Sequence, residues 1–161
     1  MRRLGERGYE SLAVSHPVEA SDAALTTYVT ELLNELADDE WDTEGIAIIG
    51  FNGGGQPALH ASTMFELAGA VSLMSTAAVA HRHPIRTPWL GLLAGRDAST
   101  SALRLEPAQA ASGVYTEVVA YPEAPSAFEP GSCSPPDRAA RFDAWQRTIE
   151  WLDKRVMPRK R

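Results

Sequence analysis

The sequence predicts an α/β fold with a mainly parallel sheet of about five strands flanked by helices, and three observations lead there. Strand-like and helix-like segments alternate along all 161 residues, as in chains that pass from strand to strand through helices. A uniformly apolar strand at 45–51 runs into the turn Gly50-Phe51-Asn52-Gly53-Gly54-Gly55 and then into a helix. A long amphipathic segment closes the chain. The length suits one domain, 1–161, with a core of its own.

The elements follow in order. A short helix over 1–6 is stopped by Gly8. Ser11-Leu12-Ala13-Val14-Ser15 reads as a strand ended by His16-Pro17. Ser21 and Asp22 offer N-caps to a helix on which Leu25, Tyr28, Val29, Leu32, Leu33 and Leu36 recur at three and four, and Asp38, Asp39 and Glu40 end it in water. The strand at 45–51 is apolar throughout, which predicts a central position covered on both faces. A helix over 56–67, a strand at 70–74 and a strand at 89–93 come next. A helix near 101–111 contains Pro107, which blurs its extent. The last strand, 114–120, alternates and should have one face or edge in water. A Pro-, Ser- and Gly-rich loop over 121–136 leads to a helix over 137–156, whose stripe Phe142, Trp145, Ile149, Leu152 and Val156 reads as core.

Composition excludes several classes. The formal net charge of -6 gives no electrostatic case for nucleic acid, and the basic tail Arg159-Lys160-Arg161 reads as a solvated terminus. One cysteine, Cys133, permits no internal disulfide and suits a reducing, cytoplasmic setting. No apolar run reaches membrane-spanning length, and no signal peptide, internal repeat or low-complexity segment is evident. The four histidines, His16, His60, His81 and His83, form no zinc spacing, and no metal or cofactor is expected.

A sharp strand–turn–helix is the setting of a nucleophile elbow, G-x-Ser-x-G in its serine form, whose apex needs small neighbours two residues away. Gly50 and Gly54 meet that need, but the apex is Asn52. A neutral amide is no nucleophile for acyl transfer. Asn does tolerate positive φ, so Asn52 can be kept for backbone fit, as a ligand-binding amide, or as a deamidation-prone Asn-Gly pair. An acid is expected just after a later strand, where Asp97 follows Ala94-Gly95-Arg96; with Ser99, Thr100 and Ser101 nearby it also reads as a helix cap.

These segments resemble the dienelactone hydrolases, α/β-hydrolases whose elbow looks like G-F-C-x-G-G, whose acid follows a G-G-x-D-like turn, and whose histidine lies in a Y-P-x-A-x-H-x-F-like loop. Here the loop reads Tyr121-Pro122-Glu123-Ala124-Pro125-Ser126-Ala127-Phe128, and Ala144-Trp145-Gln146-Arg147-Thr148 in the closing helix is also family-like. The resemblance implies a shortened α/β-hydrolase fold and places the triad positions at Asn52, Asp97 and Ser126. Only Asp97 matches. The nucleophile and histidine positions hold Asn52 and Ser126, and neither can run the covalent mechanism, because an activated nucleophile needs a base within reach. Ser126 reads otherwise as a loop residue, and Cys133 shares its loop. Gly53, with one N–H donor, and His16, at the carboxyl end of strand 11–15, are the ligand-binding candidates.

The resemblance also implies that the family's first strands are absent, including one that lies between the segments matching 11–15 and 46–51 and leads into the loop supplying a second oxyanion-hole donor. The two flanking strands would then pair directly, or an edge would stay open to a second copy or a partner subunit. Three functions follow as expectations. One is a degenerate dienelactone-hydrolase-like protein binding a small acidic or lactone-like ligand. Another is an enzyme of altered mechanism (non-covalent hydrolase, isomerase or cyclase) using Asp97, His16 or water. The third is a structural subunit completing a partner's sheet.

Overall fold

The computed structural model describes residues 2–15, 21–75, 83–125, 127–129, 131 and 134–156. Four strands, β1 (Ala47–Phe51), β2 (Gly69–Ser75), β3 (Trp89–Ala94) and β4 (Thr116–Tyr121), form one sheet in the order β1-β2-β3-β4. Every pairing is parallel, with Ile49 opposite Val71, Leu73 opposite Leu92, and Leu92 opposite Val119. The helices are α1 (Arg2–Gly5), α2 (Asp22–Asp38), α3 (Gly55–Met64), α4 (Ala98–Ala110), which continues through Pro107, and α5 (Pro135–Asp153).

Strand alternation divides the core into two layers. Ala70 and Met74 of β2 and Trp89 and Leu93 of β3 face α3 and α4, meeting Leu59, Ala98 and Leu105. Val71, Leu73, Leu90 and Leu92 face the other way, onto Ala144 and Trp151 of α5. Helix α2 lies on the α3 side: Val29 and Leu33 pack with Ile46, Ala61 and Leu67. Its N-cap is Ser21, whose hydroxyl accepts from the Ala24 N–H at 3.2 Å. Helix α5 is capped in the same way by Ser134, with Pro135 and Pro136 at its start.

The structure corrects three expectations. The sheet has four strands, because residues 11–15 join no ladder; Leu12 and Val14 are 60% and 49% exposed. The Ser15 carbonyl instead accepts from the Tyr28 hydroxyl at 2.9 Å. Strand β1 is an edge strand, since a groove of about 540 Å3 separates it from residues 9–14, and most of its residues are half-buried. The apolar stripe of α5 is buried at Ile149 and Leu152 and partly buried at Trp145 and Val156, as expected, but not at its first residue. Phe142 is 66% exposed, while Ala140, Ala144, Thr148 and Trp151 are buried. Small side chains at 140, 144 and 148 let the helix sit close to the sheet, and that closeness fixes its rotation. Strand β4 is half-buried along its length, as its alternation predicts.

One buried polar chain ties the layers together. The Trp89 indole N–H donates to Ser72 Oγ at 2.9 Å, and Ser72 Oγ donates to the Gly55 carbonyl at 2.8 Å. Trp89 and Ser72 are fully buried. Ser72→Ala would leave the Trp89 indole N–H without an acceptor in the interior and remove the tie to the Gly55 carbonyl. The expected loss is about 1–3 kcal/mol of unfolding free energy, read as a lower urea midpoint at unchanged m-value.

Candidate functional site

Parallel strands all point their carboxyl ends to one edge of the sheet, and ligands of open α/β sheets bind there. Asn52 and Gly53 follow β1 on that edge, Asp97 follows β3, and the loop from Tyr121 follows β4. Two strand spacings separate β1 from β3, on the order of 10 Å.

The elbow has the geometry its sequence implies. Asn52 has φ 49°, one of two non-glycine residues with positive φ among the described residues, and it opens a 3₁₀ turn, Asn52–Gly54, that leads into α3. Gly50 is required by close packing: a Cβ there would collide with the Gly54 carbonyl and the Ala58 side chain. Gly53 is exposed, and a Cβ there would meet nothing within 4 Å, so the apex has open space beside it. The Asn52 side-chain oxygen is buried without a hydrogen-bond partner among the described residues. A buried acceptor left unmade is costly, and a donor reaching the elbow would relieve it.

Asp97 occupies the N-cap position of α4 but makes no side-chain cap bond, and it is exposed. The predicted capping role therefore holds for position only. The Ser101 N–H donates to the Asp97 carbonyl at 2.8 Å, the first bond of the helix. Gly95, at φ 123°, bends the chain out of β3 and leaves the Asp97 carboxylate on the sheet edge.

Ser126 lies outside the described residues, as do His16, His81 and Cys133. The residues flanking Ser126 are well placed. Ala124 and Ala127 are buried against Ala94 and Ala140, and the Ala127 carbonyl accepts from Arg141 Nε at 2.8 Å. The loop is thus pinned to the end of β3, three residues before Asp97.

Below that loop, the Tyr121 hydroxyl donates to Asp143 Oδ2 at 2.7 Å, and Arg147 Nε donates to the same oxygen at 2.8 Å. Arg147 also pairs with Glu117 at 3.3 Å. Burial, followed by the bond to Asp143 and its charge, pushes the Tyr121 hydroxyl up from its ordinary value. Burial alone would raise the Asp143 carboxyl, but the bonds from Tyr121 and Arg147 outweigh it and hold the group below the usual carboxylate range.

Sequence reasoning missed a Thr26–His60–Asp22 contact between α2 and α3. Thr26 Oγ1 and His60 Nε2 are 2.8 Å apart, and His60 Nδ1 is 3.9 Å from Asp22 Oδ1. The order mimics a hydrolytic triad, but the Thr26 hydroxyl donates to the Asp22 carbonyl at 2.9 Å. The Thr26 hydroxyl thus has the Asp22 carbonyl as an acceptor, and the roles in its contact with His60 Nε2 follow the imidazole tautomer. The contact is a helix–helix clasp. Among the described residues no group of three or more His, Cys, Asp or Glu side chains gathers to hold a metal, and no helix is long and apolar enough to cross a membrane.

Comparison with known proteins places this geometry in context. A sequence model of the dienelactone hydrolase family matches residues 10–156. A Yersinia pestis protein provisionally named a carboxymethylenebutenolidase is 28% identical over 186 residues, covering 94% of this chain and 70% of the relative. A Salmonella typhi protein of the same provisional name is 27% identical over 191 residues, covering 94% and 69%. The Yersinia alignment is longer than the whole 161-residue chain, so at least 25 of its 186 positions face a gap here. A crystal structure provisionally titled a dienelactone hydrolase, from Klebsiella pneumoniae subsp. pneumoniae MGH 78578, matches with a TM-score of 0.63 at 22% identity. It covers 82% of this chain, which spans 61% of that chain, and the likeness is one of fold.

Two outcomes are expected from this site. Asn52→Gly should stay within about 0.5 kcal/mol of wild type, whereas Asn52→Val should lose on the order of 1–2 kcal/mol in chemical denaturation, because a β-branched residue resists positive φ. The lowered Asp143 group contributes stability above the ordinary Asp value of about 3.9, and that contribution is lost as pH falls through the folded value. Asp143→Asn should therefore lower Tm at neutral pH and flatten its decline below about pH 4 relative to wild type.

Proposed function

The chain belongs to the dienelactone hydrolase family, and we propose that it keeps the family's scaffold without its covalent chemistry, binding a small acidic or lactone-like ligand at the elbow. One observation carries this reading. Asn52 holds the left-handed apex conformation of a nucleophile, with a buried and unpartnered amide oxygen where a reacting atom would stand. An amide has no proton that a base could usefully remove, and the histidine-equivalent position is Ser126. Hydrolysis through an acyl-enzyme would need both.

Binding needs less. The Asn52 amide carries N–H donors for a carboxylate or lactone oxygen, Gly53 offers a backbone N–H on the open side of the turn, and α3 directs its N-terminal end toward negative charge. The relatives' names point to a carboxymethylene-substituted butenolide, which is an acid and a lactone together. The single cysteine fits a cytoplasmic protein.

Asp97 favours a second reading. Its carboxylate is exposed and makes no cap bond at the ligand-binding edge, so it is free to orient water or move a proton. A non-covalent hydrolase, isomerase or cyclase using Asp97, with His16 or water, would follow.

Aryl-ester hydrolysis should be at background for wild type and should appear in the Asn52→Cys/Ser126→His double variant. Equal activity in wild type would overturn the proposal. If that wild-type activity vanished with Asp97→Ala, the second reading would stand in its place. A butenolide carboxylate should raise the wild-type Tm without being consumed, by about 2.7 kcal/mol of stabilisation at 100-fold excess over Kd, and Asn52→Ala should remove that shift.

A further inference from the structure

Strand β1 pairs with β2 along one edge, and among the described residues its other edge meets no strand. That open edge faces the 540 Å3 groove, whose walls are α2, residues 9–14 and β1 itself. The lining is apolar, with Leu12, Val14, Leu32, Leu36, Ile48 and Phe51 among it. Leu12, Val14 and Phe51 are three of the large hydrophobic side chains left most exposed among the described residues. Such a surface is costly to leave in water.

The chemistry of the walls selects the occupant. An acyl chain would cover the apolar side chains but leave the outward N–H and C=O groups of β1 buried and unpaired, which costs free energy at every group. An extended polypeptide satisfies both needs, its backbone pairing with β1 and its side chains entering the two walls. A folded second copy fits less well, because its own β1 lies between its own walls.

Charge narrows the choice further. Between Arg7 and Arg82 the chain has no Lys or Arg and eleven Asp or Glu. The exposed acids Asp38, Glu40, Asp42 and Glu44 flank Leu36, Trp41 and Gly45, which line the end of the groove where β1 begins. The last turn of α2 carries no basic residue, so acids sit at the negative end of a helix dipole. A cation arriving there would be favoured by both.

We propose that this slot receives an extended segment of a separate polypeptide, apolar where it lies along β1 and bearing Lys or Arg at the end beside Asp38, Glu40, Asp42 and Glu44. The segment becomes a fifth strand. Its binding is independent of the chemistry at Asn52.

The test uses fluorescently labelled synthetic peptides of about six to nine residues, each with a valine- and isoleucine-rich centre and two lysines at one end. Matched peptides carry glutamates in their place, and palmitate serves as a third probe. Lysine peptides should bind wild type, glutamate peptides should bind at least about tenfold more weakly at low salt, and amides of residues 47–51 should gain hydrogen-exchange protection. Asp38→Asn/Glu44→Gln, which changes only exposed side chains, should weaken the lysine peptides about three- to tenfold. Failure of every lysine peptide to bind more tightly than about 1 mM would overturn the proposal. So would charge-independent binding, palmitate binding without protection of 47–51, or a dimer that protects those amides with no peptide present.

Discussion

The hydrogen-bond chain from Trp89 through Ser72 to the Gly55 carbonyl is the constraint on which the rest of this structure depends. An indole N–H buried in an apolar layer must find a partner, and Ser72 is the one residue of β2 that faces it with a hydroxyl. By donating onward to Gly55, Ser72 fixes the height at which α3 leaves the elbow above β2. The surrounding packing admits no slack. A Cβ on Gly91 would run into the Trp89 ring, and one on Gly55 would run into Met74. Sheet register and elbow position are therefore set by one arrangement.

That arrangement does not depend on what stands at the apex. The turn is determined by Gly50 and Gly54 approaching each other and by the anchoring of Gly55, and it asks of residue 52 only that it accept positive φ. Asn satisfies this about as well as any residue with a side chain. The unpartnered Asn52 oxygen and the exposed Asp97 carboxylate follow strands two spacings apart on the same edge of the sheet.

The other end of the sheet carries a different tension. Strand β1 is as apolar as a central strand but has a neighbour on one side only. Edge strands are usually blunted by charge or proline; β1 has neither. What limits access is the wall formed by residues 9–14 and α2, and that wall is apolar inside and acidic at its rim. The segregation of charge between Arg7 and Arg82 thus acquires a location, at the β1 edge of the sheet.

By itself the sequence determined the order of the helices and of the four paired strands, the capped start of α2, the elbow with its positive-φ apex, and the family resemblance. All of these rest on local periodicity, turn chemistry or motif spacing. Tertiary structure decided what local pattern cannot carry. Residues 11–15 have a strand's composition but no ladder, because a strand exists only where another lies beside it. The 45–51 run reads as central, since burial by helices and by strands leaves the same apolar pattern, yet it is an edge. Phe142 falls on a stripe of helical period but faces water, because Ala140, Ala144 and Thr148 let α5 approach the sheet on another face. Asp97 has a cap's position without a cap's bond, which depends on a side-chain rotation that no spacing encodes. Periodicity reports what a segment would bury; only the packed chain decides against what.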